Sequence, residues 1–195
     1  MNSFAKPETL VATALAPLDW TRSVAVAFVF SLLTALAAQI SIPLWPVPIT
    51  GQTFAVTLTG ALLGSRLGAM ALTLYLVEGA CGLPFFSGGT GGIQMLLGPT
   101  GGYLVAFPAA AFITGAFAEH GWDKRFLTAV AAMAIGSLVI LLAGWAQLSQ
   151  FVSATVAWHA GVTRFIIGDI IKVLLAAAVL PTGWYLLNRK ASQGR

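Results

Sequence analysis

Charged residues are scarce in this sequence. They make up 8% of 195 residues, against 58% hydrophobic, and the mean hydropathy is +0.89. Soluble domains carry about 25% charged residues. A chain with so few cannot cover a water-exposed surface, which points to an integral membrane protein. Cysteine is nearly absent. Cys81 stands alone in an apolar context, excluding an internal disulfide and a cysteine-rich metal site, and it reads as a packing residue. The two histidines, His120 and His159, fall in connections on opposite sides of the membrane, with no carboxylate or cysteine at ligand spacing beside either; no metal site is expected. A long apolar run is also missing from the first 20 residues, which hold Glu8, Asp19 and two prolines. They do not read as a signal peptide but as a cytoplasmic lead-in over residues 1–21.

What is present is a series of apolar segments. Six can be drawn, at 22–43, 51–65, 67–83, 101–119, 126–147 and 164–187, predicting an all-α, six-helix membrane domain over 22–187 and a short tail over 188–195. The second segment is short for a crossing, which takes about 20 residues. Before it runs "IPLWPVPITG", with three prolines. Proline removes a backbone donor, and irregular backbone at membrane depth survives only where it is buried in protein or lines a cavity. This run is expected to dip inward.

Charge tests the topology. With the N-terminus inside and an even number of crossings, Lys6, Arg22, Arg66, Lys124, Arg125, Arg189, Lys190 and Arg195 lie inside. Only Arg164 lies outside, and Lys172 is within a helix. That is a strong positive-inside bias, with both termini cytoplasmic. The basic balance therefore reads as a topology signal rather than a nucleic-acid surface. Trp20, Trp122 and Trp184 fall near inner ends, and Trp45, Trp145 and Trp158 near outer ends, as an aromatic belt requires. Three irregular connections, 43–51, 84–102 and 148–163, then share the outer face and can roof a pocket.

The segment "SGGTGGIQMLLGPTGGY", residues 87–103, holds seven of the 21 glycines. A phosphate loop needs G-x-x-x-x-G-K-[ST], with the lysine reaching the phosphates, and no Lys or Arg is present. A dinucleotide site needs a strand before the glycines and a helix after them. Both are rejected. The segment is either a flexible outer loop or one folded back on the bundle; the apolar insert "IQMLL" favours the second.

Asp169 and Lys172, in "GDIIK", lie within the last segment. A charge at the centre of a membrane helix costs roughly 2.5–3.5 kcal/mol on insertion scales, and a three-residue spacing puts both on one face. They read as a structural ion pair or as a polar ligand site about 8–12 Å below the outer end. Glu78 is a third intramembrane charge, facing a pocket or reaching the interface. Thr50, Gln52 and Thr53 stand at the start of the second segment, where a threonine can also serve as a helix cap. Ala27, Ser31 and Ala35 recur every four residues on the first helix; such a face suits packing within the bundle or docking of another membrane protein. Intramembrane hydrolysis is not supported. Asp169 is the only Asp in a predicted helix, and "FSGG" lacks a histidine base.

Taken together, "AAQISIPLWPVPITGQTFAV", "YLVEGACGLPFFSGGTGGIQMLLGPTGGYLVAF" and "GDIIKVLLAA" resemble the BioY family, the biotin-binding S components of energy-coupling factor (ECF) transporters. The resemblance spans about residues 22–187. It implies a transport protein rather than an enzyme, in the cytoplasmic (inner) membrane of a prokaryote, with no cofactor and biotin as the transported substrate. It also implies a pocket near the outer face, closed by connections 43–51 and 84–102. Expected partners are membrane lipid, a transmembrane coupling protein docking on Ala27, Ser31 and Ala35, and two cytoplasmic ATPases that hydrolyse ATP. Asp169 suits the ureido N–H groups, Lys172 the ureido oxygen or the carboxylate, Gln52 can donate and accept, and Phe85, Phe86 and Tyr103 can pack on rings and tail. Backbone amides at Thr100–Gly102, Gly101 among them, can take a carboxylate. Glu78 and Thr90 complete the candidate ligand-binding set. Thr90 stands where the family pattern leads one to expect an arginine, and Gly51 where a larger apolar residue is expected. Other readings are an S component for a different vitamin and a self-sufficient secondary transporter.

Overall fold

The computed structural model describes residues 9–15 and 19–193. Lys6, Arg195, the Lys190 side chain and most of the lead-in lie outside the described residues. In chain order the helices are α1 (Leu10–Leu15), α2 (Trp20–Gln39), α3 (Gln52–Leu63), α4 (Ser65–Ala80), α5 (Ile93–Leu97), α6 (Gly101–Val105), α7 (Phe107–Glu119), α8 (Phe126–Leu148), α9 (Ala154–Trp158) and α10 (Arg164–Gln193). Among the described residues four helical stretches are long and apolar enough to cross a membrane: Trp20–Gln39, Gly101–Glu119, Phe126–Leu148 and Ala154–Arg189.

The segments expected at 51–65 and 67–83 fold as helices of 12 and 16 residues, about 18 and 24 Å long. They join directly at Gly64, whose φ of 86° suits glycine. The chain doubles back there: a Cβ on Gly68 would lie 2.9 Å from the Gly60 Cα, although a straight helix would hold these residues about 12 Å apart. The α3–α4 hairpin packs along α7, which is the central helix. Of the span Gly101–Glu119, 61% is buried, against 33% for Trp20–Gln39 and 39% for Phe126–Leu148. Small residues permit this approach. A Cβ on Gly60 would collide with Ala111 O and Thr114, and one on Gly115 with Gly64 and Ser65.

Helix α2 packs against α4, and α8 lies between α7 and α10. The faces turned away from the bundle are apolar, with Leu36, Leu127 and Ile167 exposed. Apolar side chains both inside and out suit a helix in lipid.

Three sequence-based expectations need correction. The first helix ends at Gln39 rather than 43. The run after it is not purely irregular: Ser41 pairs with Thr50 and Ile42 with Ile49 in a two-stranded antiparallel hairpin. Pro43, Pro46 and Pro48 have no amide hydrogen to extend that ladder, so the otherwise all-α fold carries one minimal β element among the described residues. The connection 148–163 is helical from Ala154 and passes through a π-helical turn, His159–Thr163, directly into α10. Trp158 packs edge-on against Trp145 of α8, with centroids 5.9 Å apart.

At the opposite end, the Trp184 indole N–H donates to Asp123 Oδ2 at 2.6 Å. Burial pushes the Asp123 carboxyl above its usual range, and the Trp184 hydrogen bond and the nearby Lys124 pull it partly back. On the same side Glu119 caps α4 from a distance: Oε1 accepts from Ser65 N–H at 2.9 Å and from Ser65 Oγ at 2.8 Å. Glu119→Ala leaves both buried donors without that acceptor. The expected cost is about 2–3 kcal/mol, measured as a lowered thermal midpoint of the detergent-purified protein. An unchanged midpoint would mean that this remote cap adds nothing.

Candidate functional site

The hairpin 41–50 and the glycine segment lie over a cavity of about 280 Å³. Its covers are Pro46, Val47 and Pro48 from the hairpin, Phe86 and Ser87 from the first glycine cluster, and Pro99 and Thr100 from the second. The walls are apolar and largely aromatic, formed by Tyr103, Leu104 and Phe107 of the α6–α7 stretch, Ile140 and Leu141 of α8, and Phe165 of α10. The polar side chains come mainly from two elements: Gln52 and Thr53 in the first turn of α3, and Lys172 of α10.

These polar groups form two networks. In the first, Lys172 Nζ donates to Asp169 Oδ1 at 3.1 Å and to Thr53 Oγ1 at 2.9 Å, and Thr53 Oγ1 donates to Asp169 Oδ1 at 3.2 Å. An ammonium has three hydrogens, so one is not used in these two bonds. Asp169 is buried behind this pair, and its Oδ2 has no partner among the described residues. The arrangement therefore offers one charge-assisted donor at the cavity wall, with a buried, unpartnered carboxylate oxygen behind it. In the second network Gln52 Nε2 donates to Tyr75 OH at 2.6 Å, Tyr75 OH donates to the Phe85 carbonyl at 3.0 Å, and Thr50 Oγ1 donates to Gln52 Oε1 at 2.8 Å. These bonds lock the Gln52 amide in one orientation.

The candidate residues separate on this geometry. Gln52, Lys172, Thr100 and Tyr103 border the cavity, with Asp169 behind Lys172. Tyr103 presents its ring, because its hydroxyl donates to the Gly161 carbonyl at 2.9 Å and the ring stacks on Phe165 with centroids 6.0 Å apart. Phe85 contributes its carbonyl to Tyr75, while the neighbouring Phe86 is the phenyl ring on the wall. Gly101 is buried and wedged against the Leu96 carbonyl, and its amide donates to Gly98 O at 3.0 Å. Thr90 is exposed, with its hydroxyl donating to Ser87 O at 2.9 Å. Glu78 is half-buried and outside the cavity wall; its Oε2 has no partner among the described residues. Ala27, Ser31 and Ala35 are buried within the bundle, on a helix that packs against α4. In this conformation that face is already occupied.

Tyr75 carries no motif, and only the folded chain shows that a tyrosine in α4 reaches Gln52. Of the two candidate phenylalanines, Phe86 lines the cavity and Phe85 does not. A lateral, nearly all-apolar groove of about 720 Å³ runs between α2, α3 and α10, and Thr50 and Lys172 border both it and the central cavity. Among the described residues no group of three metal-ligating side chains is assembled.

Comparison with known proteins agrees with this architecture. The chain is 43% identical over 159 residues to the probable biotin transporter BioY of Pyrococcus horikoshii, covering 81% of this chain and 93% of that protein. It is 39% identical over 152 residues to the biotin transporter BioY of Thermotoga maritima, covering 77% and 89%. Its fold is similar to the crystal structure of the S-component for biotin from an ECF-type ABC transporter, with a TM-score of 0.73 at 24% identity over 83% of this chain and 90% of that one. Residues 6–189 fit the profile of the BioY family. On that match, and on relatives this similar along most of its length, the chain belongs to the BioY family.

Proposed function

We propose that this protein captures biotin at the outer face of a prokaryotic cytoplasmic membrane, as the S component of an ECF-type transporter. The observation that carries the reading is the polar end of the cavity, where Lys172 borders the cavity and the buried Asp169 behind it has an Oδ2 with no partner among the described residues. A ureido ring carries an acceptor oxygen flanked by N–H donors, and it complements that pair. The apolar walls suit the sulfur ring and the valerate chain, with the Phe86 and Tyr103 rings against them. Burying such a ligand is favourable only if its polar groups find partners, and the donor and acceptor here are already held in place by Thr53.

In this reading the hairpin and the glycine segment face outward, the α3–α4 hairpin supplies two short crossings, and six crossings return both termini to the inside. The basic residues support that orientation. Lys172 stands eight residues into α10 from Arg164, about 12 Å along the helix. Thr90 offers no cation for the ligand carboxylate. The hydroxyls of Ser87 and Thr100, on the covers, are the polar groups positioned to meet it. Transport is driven by a coupling protein and two ATPases. The coupling protein reaches Ala27, Ser31 and Ala35 only if α2 separates from α4. Lipid acyl chains fill the lateral groove.

Titration of the detergent-purified protein with biotin, thiamin and riboflavin tests the reading directly. Biotin is expected to bind preferentially, and preference for either of the others would overturn it. Asp169→Asn and Lys172→Ala are each expected to weaken biotin binding more than tenfold, about 1.4 kcal/mol. Unchanged affinity in both variants would reduce the pair to a structural ion pair. Tyr103→Phe removes only the bond to Gly161. It is expected to lower the thermal midpoint, by about 1 kcal/mol of stability, while biotin affinity measured by calorimetry changes less than threefold.

A further inference from the structure

Charge on the cavity lining is balanced by the protein itself. Among the described residues Lys172 is the one charged side chain on that lining. Its Nζ lies 3.1 Å from Asp169 Oδ1, so the two charges cancel within one helix face. Other ionisable groups at this end of the bundle stand elsewhere. Arg164, at the start of α10, and His159, in the turn before it, are exposed and line none of the cavity, and Glu78 lies outside its wall. The remaining polar side chains on the lining are neutral. Gln52 is held by Tyr75 and Thr50 at 2.6 and 2.8 Å, and Thr53 is held by the ion pair. On the covers the polar side chains are the hydroxyls of Ser87 and Thr100.

A carboxylate entering this site brings a negative charge that no second cation on the lining offsets. With Lys172 engaged by Asp169 and by a ureido oxygen, the tail end of the ligand meets hydroxyls. Burying an ionised carboxylate on neutral partners is costly. A primary carboxamide keeps the same heavy-atom shape, carries no charge and costs less to desolvate. A hydroxyl can donate or accept, so Ser87 and Thr100 serve a C=O or an N–H alike. A cation in their place would favour the anion, because charge-assisted hydrogen bonds are roughly twice as strong as neutral ones. We infer that this cavity selects its ligand by the ureido ring and not by a charged tail, so that uncharged carboxyl derivatives, the primary carboxamide first among them, bind at least as well as biotin itself. The inference rests on the biotin-capture reading and widens its substrate class to neutral-tailed ureido compounds.

Competition against radiolabelled biotin on the detergent-purified protein tests this, with unlabelled biotin and biotin carboxamide as the competitors. The carboxamide is expected to displace the label with an inhibition constant no more than about threefold above that of biotin. A larger penalty on the carboxamide would overturn the inference, because it would put the ligand carboxylate on a cation, and Lys172 is the one on the lining. Adding a cation to a cover gives the converse. In Ser87→Lys the preference is expected to move about tenfold toward biotin. Thr100→Lys makes the same change from the second glycine cluster and decides the matter should the first variant not fold. An unmoved ratio in a variant that still binds biotin would overturn the placement of the tail at these hydroxyls. Biotin bound and carboxamide refused by the wild type would sink this inference and leave the biotin-capture reading standing. No binding of biotin by the wild type would end both.

Discussion

Close contact between small residues along α7 sets the spacing of the bundle. Gly60 and Gly68 touch backbone to backbone, and Gly115 lies against Gly64 and Ser65. Across the next interface a Cβ on Gly136 would sit 2.5 Å from the Thr114 methyl. In lipid there is no hydrophobic force between helices, so dispersion and close approach do this work. The same stretch explains where the cavity opens. From Ala110 to Ala118 the buried residues are small and the helices close on one another. One turn earlier, Phe107, Leu104 and Tyr103 take over, and their bulk holds the neighbouring helices apart. The cavity lies at the wide end of a wedge whose narrow end is glycine and alanine.

Charge inside that wedge has to be compensated. Asp169 and Lys172 share one helix face, but spacing alone does not make their pair suitable for a ligand. A buried ion pair with no further partners recovers too little of its desolvation cost. Thr53, from α3, bonds to both and fixes the distance between α3 and α10 at the polar end of the cavity. What remains is one ammonium hydrogen and one buried carboxylate oxygen, which in the proposed reading form a preorganised site. Its groups are oriented before a ligand arrives, so less binding free energy is lost to ordering them.

The glycine segment does two different jobs. Its second cluster is a packing device, in which Gly101 and Gly102 let the α6–α7 stretch seat against the carbonyls of Leu96 and Ala143. In its first cluster Gly88 and Gly89 form an unwedged tip held by side-chain hydrogen bonds, while Gly91 is wedged against the Leu83 carbonyl. The two clusters look alike in sequence because both need glycine, one for space and the other for positive φ at Gly88 and Gly89.

Much of this was legible in the sequence because it depends on composition and local spacing. Scarcity of charge required a membrane fold. The lack of lysine near the glycines removed a phosphate loop, and the three-residue spacing of Asp169 and Lys172 placed both on one face. Rejecting a purely solvated loop from the "IQMLL" insert also agrees with the folded-back segment. Other features depend on which distant residues meet, and no local pattern encodes that. Both Phe85 and Phe86 were candidates, and only the packed structure shows that Phe86 lines the cavity while the Phe85 carbonyl is held by Tyr75. Tyr75, Gln39 and Gln147 find their partners across 10 to 51 positions of chain. Ala27, Ser31 and Ala35 showed a small-residue face, but only the packed bundle decided that α4 covers it. Composition and periodicity determined that this chain lives in lipid and carries a charged pair there. Only the tertiary structure, through the separation of helices by side-chain size and the long-range hydrogen bonds across the gap, decided that Lys172 borders a covered cavity with Asp169 buried behind it.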